Sequence, residues 1–98
     1  MPTVLYNGFE WDEDKAAANE AKHGVSFTEA VTVFADDFFV VKRDMTHSFA
    51  ENRYLILGRS EAENYLIVVY TERRDTTRLI SARRMSPNER WSYENEEE

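Results

Sequence analysis

With 98 residues, the chain can form one domain around one core, and a second domain does not fit. The absence of cysteine excludes disulfides and thiolate chemistry, and two histidines without metal-ligand spacing argue against a metal site, so no cofactor is expected. The net charge of −7 is unusual for a nucleic-acid binder, and the lack of a signal-peptide pattern or long apolar run predicts a cytoplasmic protein.

The first half of the chain begins with an extended segment and continues with two helices. Residues 3–11 are predicted as a short strand or extended arm. Residues 12–14 then place three carboxylates on the first turn of a helix, where the helix dipole favours them, and Gly24 is a suitable residue to end it. Ser26 and Glu29 have the spacing of a capping box, which predicts a second helix of about ten residues.

Strands are predicted from residue 38 onward, because the apolar residues change there from helical to alternating spacing. The four predicted strands cover residues 38–42, 53–59, 65–71 and 77–84. The loops 60–64 and 72–76 are short and polar, so the last three strands should form an antiparallel meander. Residues 43–52 form the longest predicted loop.

The end of the chain carries a second capping-box pattern. Ser86 as N-cap, Pro87 at the first helical position and Glu89 predict a short C-terminal helix. Residues 94–98 are an acidic tail that we expect to fray. No repeat or linker divides the sequence, so we expect a single domain over residues 1–98.

Arginine is concentrated in the second half of the chain. Eight of the nine arginines follow residue 52, so residues 52–93 carry eight basic and five acidic side chains within an acidic protein. The guanidinium group is planar, permanently charged and suited to binding phosphate or carboxylate. The cluster therefore indicates oxyanion recognition, with ion pairs on solvated strand faces as the alternative interpretation.

Strand alternation divides these arginines between two faces. On the last strand it groups Arg83 with Leu79 and places Arg78 on the opposite face. Because Leu79 is expected to face the core, Arg83 should emerge at the rim of the sheet beside a cleft. Arg53 on another strand could complete a two-arginine clamp for phosphate. Glu51 could orient one of these arginines, act as a base, or be only a structural partner of Arg53 or Arg59.

A series of motifs in a fixed order carries a resemblance to a known family. The motifs are Phe9-Glu10-Trp11-Asp12, Lys15, Asn19, Lys22-His23-Gly24-Val25-Ser26-Phe27, Glu51 with Arg53, Val69-Tyr70-Thr71, Ile80-Ser81-Ala82-Arg83 and Glu89-Arg90. Over about residues 9–93, the chain resembles the BrnT family of toxins. The resemblance implies a RelE/ParE-like α+β fold, with two N-terminal helices packed on a curved antiparallel β-sheet and a short C-terminal helix. It also implies a toxin of a type II toxin–antitoxin pair, neutralised by a BrnA-like antitoxin.

The resemblance further implies a metal-independent endoribonuclease, in which the 2′-hydroxyl of RNA attacks the adjacent phosphate. Such an enzyme needs a proton acceptor, a proton donor and cations that stabilise the charge developing on the phosphate. The candidate catalytic residues are Arg53, Arg83, His23, Glu51 and Lys15. The candidate substrate-binding residues are Trp11, Lys22, Tyr70, Arg74 and Tyr93.

Each candidate also has a structural interpretation. His23 could be a helix-capping side chain without a catalytic role, and the lysines could be solvated. A tryptophan at a strand–helix junction, such as Trp11, is more often part of the core. The tyrosines pack by default. For the whole chain, the alternative to a ribonuclease is a non-enzymatic interaction module that binds an acidic partner through its arginine surface. In either case an acidic helix or arm of the antitoxin is expected to dock on the arginines, and the antitoxin rather than this chain is expected to contact DNA.

Overall fold

A computed structural model describes residues 2–46 and 51–96. Within these residues the strands are β1 (Thr3–Tyr6), β2 (Phe9–Asp12), β3 (Val40–Arg43), β4 (Arg53–Arg59), β5 (Tyr65–Glu72) and β6 (Thr77–Arg84). The helices are α1 (Glu13–His23), α2 (Phe27–Thr32), which continues into a 3₁₀ turn (Val33–Ala35), and α3 (Pro87–Asn95). Residues 47–50 of the predicted long loop and residues 97–98 of the predicted tail lie outside the described residues.

The six strands form one mixed sheet in the order β1-β2-β6-β5-β4-β3. Neighbouring strands are antiparallel except for β2 and β6, which run parallel through the pairs Phe9 with Thr77 and Glu10 with Arg78. The prediction of a purely antiparallel sheet is therefore wrong. The reason is that the N-terminal segment does not remain a separate arm but joins the sheet beside the last strand.

A tight hairpin turn places the N-terminal segment in the sheet. Asn7 and Gly8 both adopt positive φ, at 49° and 87°. These values suit a two-residue turn of the primed type, for which Asn-Gly is the preferred sequence. The segment predicted as one strand or arm over residues 3–11 is thus two strands, β1 and β2, and the Asn-Gly pair was the sequence signal for this hairpin.

The predicted ends of α1 are confirmed. The Asp12 side chain accepts a hydrogen bond from the Asp14 backbone N–H at 3.1 Å, as an N-cap does. Gly24 follows the helix at φ 70°, a left-handed conformation that glycine adopts at little cost, and its N–H donates to the Glu20 carbonyl at 2.8 Å. Both ends of this helix are therefore fixed by local chemistry.

The predicted capping box at Ser26 and Glu29 is formed only in part. The Ser26 hydroxyl accepts from the Glu29 N–H at 3.1 Å, but the Glu29 carboxylate accepts from Ser60 Oγ at 2.6 Å and Asn64 Nδ2 at 2.7 Å instead of from Ser26. Glu29 thus ties α2 to the β4–β5 turn. The helical segment also tightens into the 3₁₀ turn after Thr32, so α2 itself is shorter than predicted.

The sheet is covered on both faces. Ile56, Leu66 and Val68 face the main core, where they pack with buried residues of the α2 region: Val25, Phe27, Ala30 and Val33. Leu57 and Ile67 alternate with these strand residues, are buried as well, and line a space with Asn88, Glu89 and Ser92 of α3. Helix α3 therefore lies on the face of the sheet opposite to the main core, and both reciprocal bonds of its capping box at Ser86 and Glu89 are present.

A bulge in β6 changes which residues face the core. Val69 pairs with Ser81 whereas the next residue, Tyr70, pairs with Leu79, so Ile80 is one extra residue in β6. As a result Leu79 and Ala82 are both buried on the core face although they are three positions apart. Arg83 pairs with Ile67 and lies on the α3 face. The prediction that Arg83 shares a face with Leu79 is wrong, because strict alternation does not hold across a bulge.

Candidate functional site

A row of polar side chains crosses four strands at one end of the sheet. Arg53 of β4 pairs with Thr71 of β5, Thr71 pairs with Arg78 of β6, and Arg78 pairs with Glu10 of β2. Directly paired residues project from the same face of a sheet, so these four side chains lie side by side. The row lies at the end of the sheet where β4 and β6 start and β5 ends.

A cleft of about 180 Å³ lies over this row. Its charged lining consists of four basic side chains and two carboxylates: Lys15, Arg53, Arg73, Arg78, Asp12 and Glu51. The basic side chains outnumber the acidic ones in a protein whose net charge is −7. The lining of the cleft therefore has a charge composition that suits an anion, although the molecule as a whole is acidic.

Glu51 bridges two of the guanidinium groups in the cleft. Its carboxylate lies 3.5 Å from Arg53 Nε and accepts from Arg73 Nη2 at 3.3 Å. A carboxylate and a phosphate both present oxygens that match the guanidinium fork. Glu51 consequently holds Arg53 and Arg73 in an arrangement in which two phosphate oxygens could replace its own.

Arg78 is held in place by Glu10 of the neighbouring strand β2. Its Nη1 donates to Glu10 Oε2 at 2.5 Å, and Thr76 Oγ1 donates to Glu10 Oε1 at 2.6 Å. The hydrogen bond from Thr76, followed by that from Arg78, lowers the pKa of the Glu10 carboxyl. Glu10 therefore stays ionised and orients Arg78 at the cleft wall.

Of the residues predicted from the sequence, the structure brings Lys15, Glu51 and Arg53 together in the cleft. Lys15 lies on the first turn of α1, directly after the β2–α1 junction. Arg53 and Glu51 form the ion pair that the structural interpretation of Glu51 predicted. Arg73 and Arg78 complete the cleft.

Arg83 lies outside this cleft. Both of its terminal nitrogens donate to the Glu89 carboxylate of α3, at 2.8 and 2.7 Å. Its pairing partner Ile67 is four residues from Thr71 along β5, so Arg83 and Arg53 are separated by about 13 Å along the strand direction. The clamp predicted from Arg53 and Arg83 does not form, and Arg73 and Arg78 flank Arg53 instead.

His23 and Lys22 lie at the far end of α1. Eight residues separate Lys15 from His23, which corresponds to about 12 Å along the helix axis. Arg74 is exposed in the β5–β6 turn, next to Arg73 but outside the lining of the cleft. The structure thus does not place these three side chains in the cleft.

Two of the aromatic residues predicted to bind substrate, Trp11 and Tyr70, belong to the core. Trp11 is 5% exposed and its ring packs edge-on against Phe27, with 5.7 Å between the ring centroids, as the structural interpretation of this residue expects. Tyr70 packs against Phe34 and Tyr54, and burial raises the pKa of its hydroxyl.

Tyr93 joins α3 to the turn that follows α2. Its hydroxyl donates to Asp36 Oδ2 at 2.5 Å, and burial followed by this hydrogen bond raises the pKa of Tyr93. Burial by itself would raise the pKa of Asp36, but the hydrogen bonds from Tyr93 and from the Arg59 and Phe38 backbone outweigh it and lower that pKa. Tyr93 is thus held in a structural contact away from the cleft.

Sequence reasoning missed Arg73 and Arg78, although a signal for them existed. They flank the turn of the last hairpin, and closure of an antiparallel hairpin brings the ends of its two strands together. The start of β4, with Arg53, lies at that same end of the meander. Following strand ends instead of strand faces would have placed these arginines together.

The described residues contain neither a cluster of metal ligands nor a helix that could span a membrane. Within residues 2–46 and 51–96, no three His, Asp or Glu side chains converge as the ligands of a metal ion would. No helix in that part of the chain combines the length and apolar composition needed to cross a membrane.

The family of the chain is shown by comparison with known proteins. The family model for the ribonuclease toxin BrnT of type II toxin–antitoxin systems matches residues 11–89. The fold is similar to the 1.1 Å crystal structure of the ribonuclease toxin BrnT of Brucella abortus, with a TM-score of 0.60 and 23% sequence identity over 78% of this chain and 92% of that one. A comparison with curated proteins gives no match. The chain therefore belongs to the BrnT family of ribonuclease toxins of type II toxin–antitoxin systems.

Proposed function

We propose that the chain is an endoribonuclease toxin that cleaves RNA without a metal ion, by attack of a 2′-hydroxyl on the adjacent phosphate. The observation that carries this proposal is the convergence of Arg53, Arg73 and Arg78 around Glu51 in one cleft. Family membership supports RNA as the substrate, and the cleft supplies cations for the charge that develops on the phosphate.

Each charged residue of the cleft has a proposed role. Arg53 and Arg73 bind the phosphate oxygens in place of Glu51, and Arg78, oriented by Glu10, adds a third cation. Once displaced from the two arginines, the Glu51 carboxylate accepts the proton of the attacking 2′-hydroxyl. The bond to the 5′-oxygen breaks as that oxygen takes up a proton from solvent water, and the products are a 2′,3′-cyclic phosphate and a 5′-hydroxyl. Lys15 adds positive charge beside the phosphate.

The remaining predicted roles stay predictions. The residues concerned are Arg83, His23, Trp11, Lys22, Tyr70, Arg74 and Tyr93. The RelE/ParE-like relationship, neutralisation by a BrnA-like antitoxin that makes the DNA contact, and a cytoplasmic location also stay predictions. For Arg83 the ion pair with Glu89 supports a role in holding α3.

The proposal predicts that single cleft variants lose activity but not the fold. Arg53→Ala and Arg73→Ala should each lower the rate of RNA cleavage by about 100-fold or more, because each removes a donor aimed at the charged phosphate. Cleavage by the purified protein should continue in a chelator and yield the cyclic phosphate. The matched control is Arg59→Ala, which removes an arginine paired with Glu63 outside the cleft and should cut like the wild type.

A second candidate is a non-enzymatic module that binds an acidic partner, and one observation favours it. Most of the arginines after residue 52 already pair with carboxylates of this chain: Arg53, Arg59, Arg73, Arg78, Arg83 and Arg90. Such pairs are common on protein surfaces and need no ligand. If the wild type neither cuts RNA nor arrests growth when expressed without antitoxin, this second function replaces the first.

A further inference from the structure

The edge of the sheet formed by β3 has the features of a docking site that no catalytic role uses. Among the described residues, β3 is an edge strand of the sheet, because it pairs with β4 alone. The Asp44 N–H donates to the Arg53 carbonyl at 2.8 Å, which fixes the alternation of hydrogen-bonded pairs along these strands. By that alternation the backbone groups of Val41 and Arg43 point away from β4, toward a further strand.

Large apolar side chains lie exposed along this edge. Phe38 is 76% exposed and Met45 77%, and Phe39 and Val41 are nearly half exposed. We call these four residues the edge patch. An exposed strand edge with adjoining apolar side chains is the arrangement that recruits an additional strand from another chain. The edge patch is therefore suited to contact with a binding partner.

A groove beside the edge patch indicates the charge of that partner. It has a volume of about 510 Å³ and runs between residues 37–40 and the end of α3. Its lining includes the carboxylates of Asp37, Glu94 and Glu96, of which Glu94 pairs with Arg90. The nearby side chains of Arg43 and Lys42 keep their charge but contact the neutral groups of Asn52 and Ser92 rather than these carboxylates. The groove is thus lined by both apolar side chains and carboxylates.

We propose that the β3 edge is the docking surface for the antitoxin, which adds an extended segment alternating apolar and basic side chains to the sheet. The backbone of the segment pairs with Val41 and Arg43, its apolar side chains cover the edge patch, and its Lys or Arg side chains face the carboxylates of the groove. This inference rests on the proposed neutralisation by an antitoxin. It differs from the expectation that an acidic arm covers the arginines of the cleft.

The test measures the affinity of the full-length protein for the antitoxin encoded beside its gene, by titration calorimetry. Phe38→Asp removes an apolar anchor, and Val41→Pro removes an outward N–H at a position where an edge strand tolerates proline. Each should weaken binding by about ten-fold or more. Leu5→Asp is the matched control, because Leu5 is 72% exposed on β1 at the opposite edge, and it should change affinity by less than about two-fold.

Reversal of charge tests the chemistry of the partner segment. Asp37→Lys should weaken binding, and the loss should be larger at low salt, because the variant repels a basic segment. Binding that strengthens in Asp37→Lys would show an acidic segment and overturn the proposal. Circular dichroism and thermal melts of each variant confirm that the fold is retained before affinity is compared.

The outcomes separate this inference from the nuclease proposal. If Phe38→Asp and Val41→Pro bind the antitoxin like the wild type, while Arg73→Ala loses binding, the antitoxin covers the cleft and the inference fails. If light scattering shows a dimer that Phe38→Asp converts to a monomer without loss of antitoxin binding, the patch covers a second copy and the inference also fails. If the two edge variants lose binding in a wild type that cuts no RNA, the docking surface stands and only the nuclease proposal fails.

Discussion

Asn19 takes the place of a missing strand beside β6. Strand β2 pairs with β6 only through Phe9 and Glu10, so it does not reach the backbone of Ala82. The buried Asn19 amide serves that backbone on both sides, since its Nδ2 donates to the Ala82 carbonyl at 2.8 Å and its Oδ1 accepts from the Ala82 N–H at 3.1 Å. The same Nδ2 donates to the Val25 carbonyl. One side chain thus joins α1, β6 and the entry to α2.

Replacement of Asn19 by alanine should destabilise the protein by about 2–4 kcal/mol, because it leaves buried donor and acceptor groups of the backbone without partners. Urea denaturation followed by circular dichroism measures the change. Asn95→Ala is the control, since Asn95 is exposed and bonds only to the nearby Trp91 carbonyl; its cost should stay below about 0.5 kcal/mol. Equal losses for the two variants would contradict the role assigned to Asn19.

At the scale of elements, α3 is held to the sheet by polar contacts at both of its ends. Arg83 and the Ser86 N–H both donate to Glu89 at the start of the helix, and Tyr93 donates to Asp36 near its end. None of its described residues is fully buried. The position of α3 therefore depends on these polar contacts more than on a hydrophobic face.

The attachment of α3 should weaken in acid. The hydrogen bonds from Arg83 lower the pKa of Glu89 from its ordinary value of 4.5 to about 2. Because the folded state binds this proton less readily than the unfolded chain, the stabilisation is present above pH 4.5 and is lost as the pH falls toward 2. The melting temperature of the wild type should thus exceed that of Glu89→Gln at neutral pH, and the difference should vanish near pH 2.

Other carboxylates also titrate in this range, so the difference in melting temperature between the wild type and Glu89→Gln isolates the contribution of Glu89. Glu61→Gln serves as the control because Glu61 is an exposed residue in the β4–β5 turn. Its melting temperature should follow the wild type at every pH. A difference between the wild type and Glu89→Gln that persists unchanged to pH 2 would show that ionisation of Glu89 contributes nothing.

At the scale of the whole molecule, charge is divided between surfaces. The arginine cleft lies at the end of the sheet where β4 and β6 begin, whereas carboxylates line the groove beside α3. The net charge of −7 therefore does not describe the surface that an RNA phosphate would meet. The same division assigns opposite charges to the two proposed ligands, a polyanion at the cleft and a basic segment at the β3 edge.

Binding of RNA at the cleft should depend on salt through the number of phosphates neutralised. For single-stranded RNA, each contact contributes about 0.7 to the slope of log K against log salt concentration. Arg73→Ala should therefore lower the magnitude of this slope by about 0.7, measured by fluorescence anisotropy with a short oligonucleotide. Arg59→Ala should leave the slope unchanged, and equal slopes for both variants and the wild type would place RNA elsewhere.

Features that depend on near neighbours could be predicted from the sequence. Asp12 and Gly24 mark the two ends of α1, and Ser86 with Glu89 caps α3. Short polar turns connect the strands of the antiparallel meander. Each of these signals acts within a few residues. The order of motifs along the chain also sufficed to identify the family, as the match over residues 11–89 confirms.

Which arginines meet depends on contacts between distant parts of the chain. The bulge at Ile80 shifts the alternation of β6, the parallel pairing of β2 with β6 brings Glu10 to Arg78, and α3 captures Arg83 through Glu89. Each of these depends on residues far apart in sequence, and a shift of one residue in a strand moves every following side chain to the other face. The cleft is for this reason made by Arg53, Arg73 and Arg78, a set that side-chain alternation within single strands does not select.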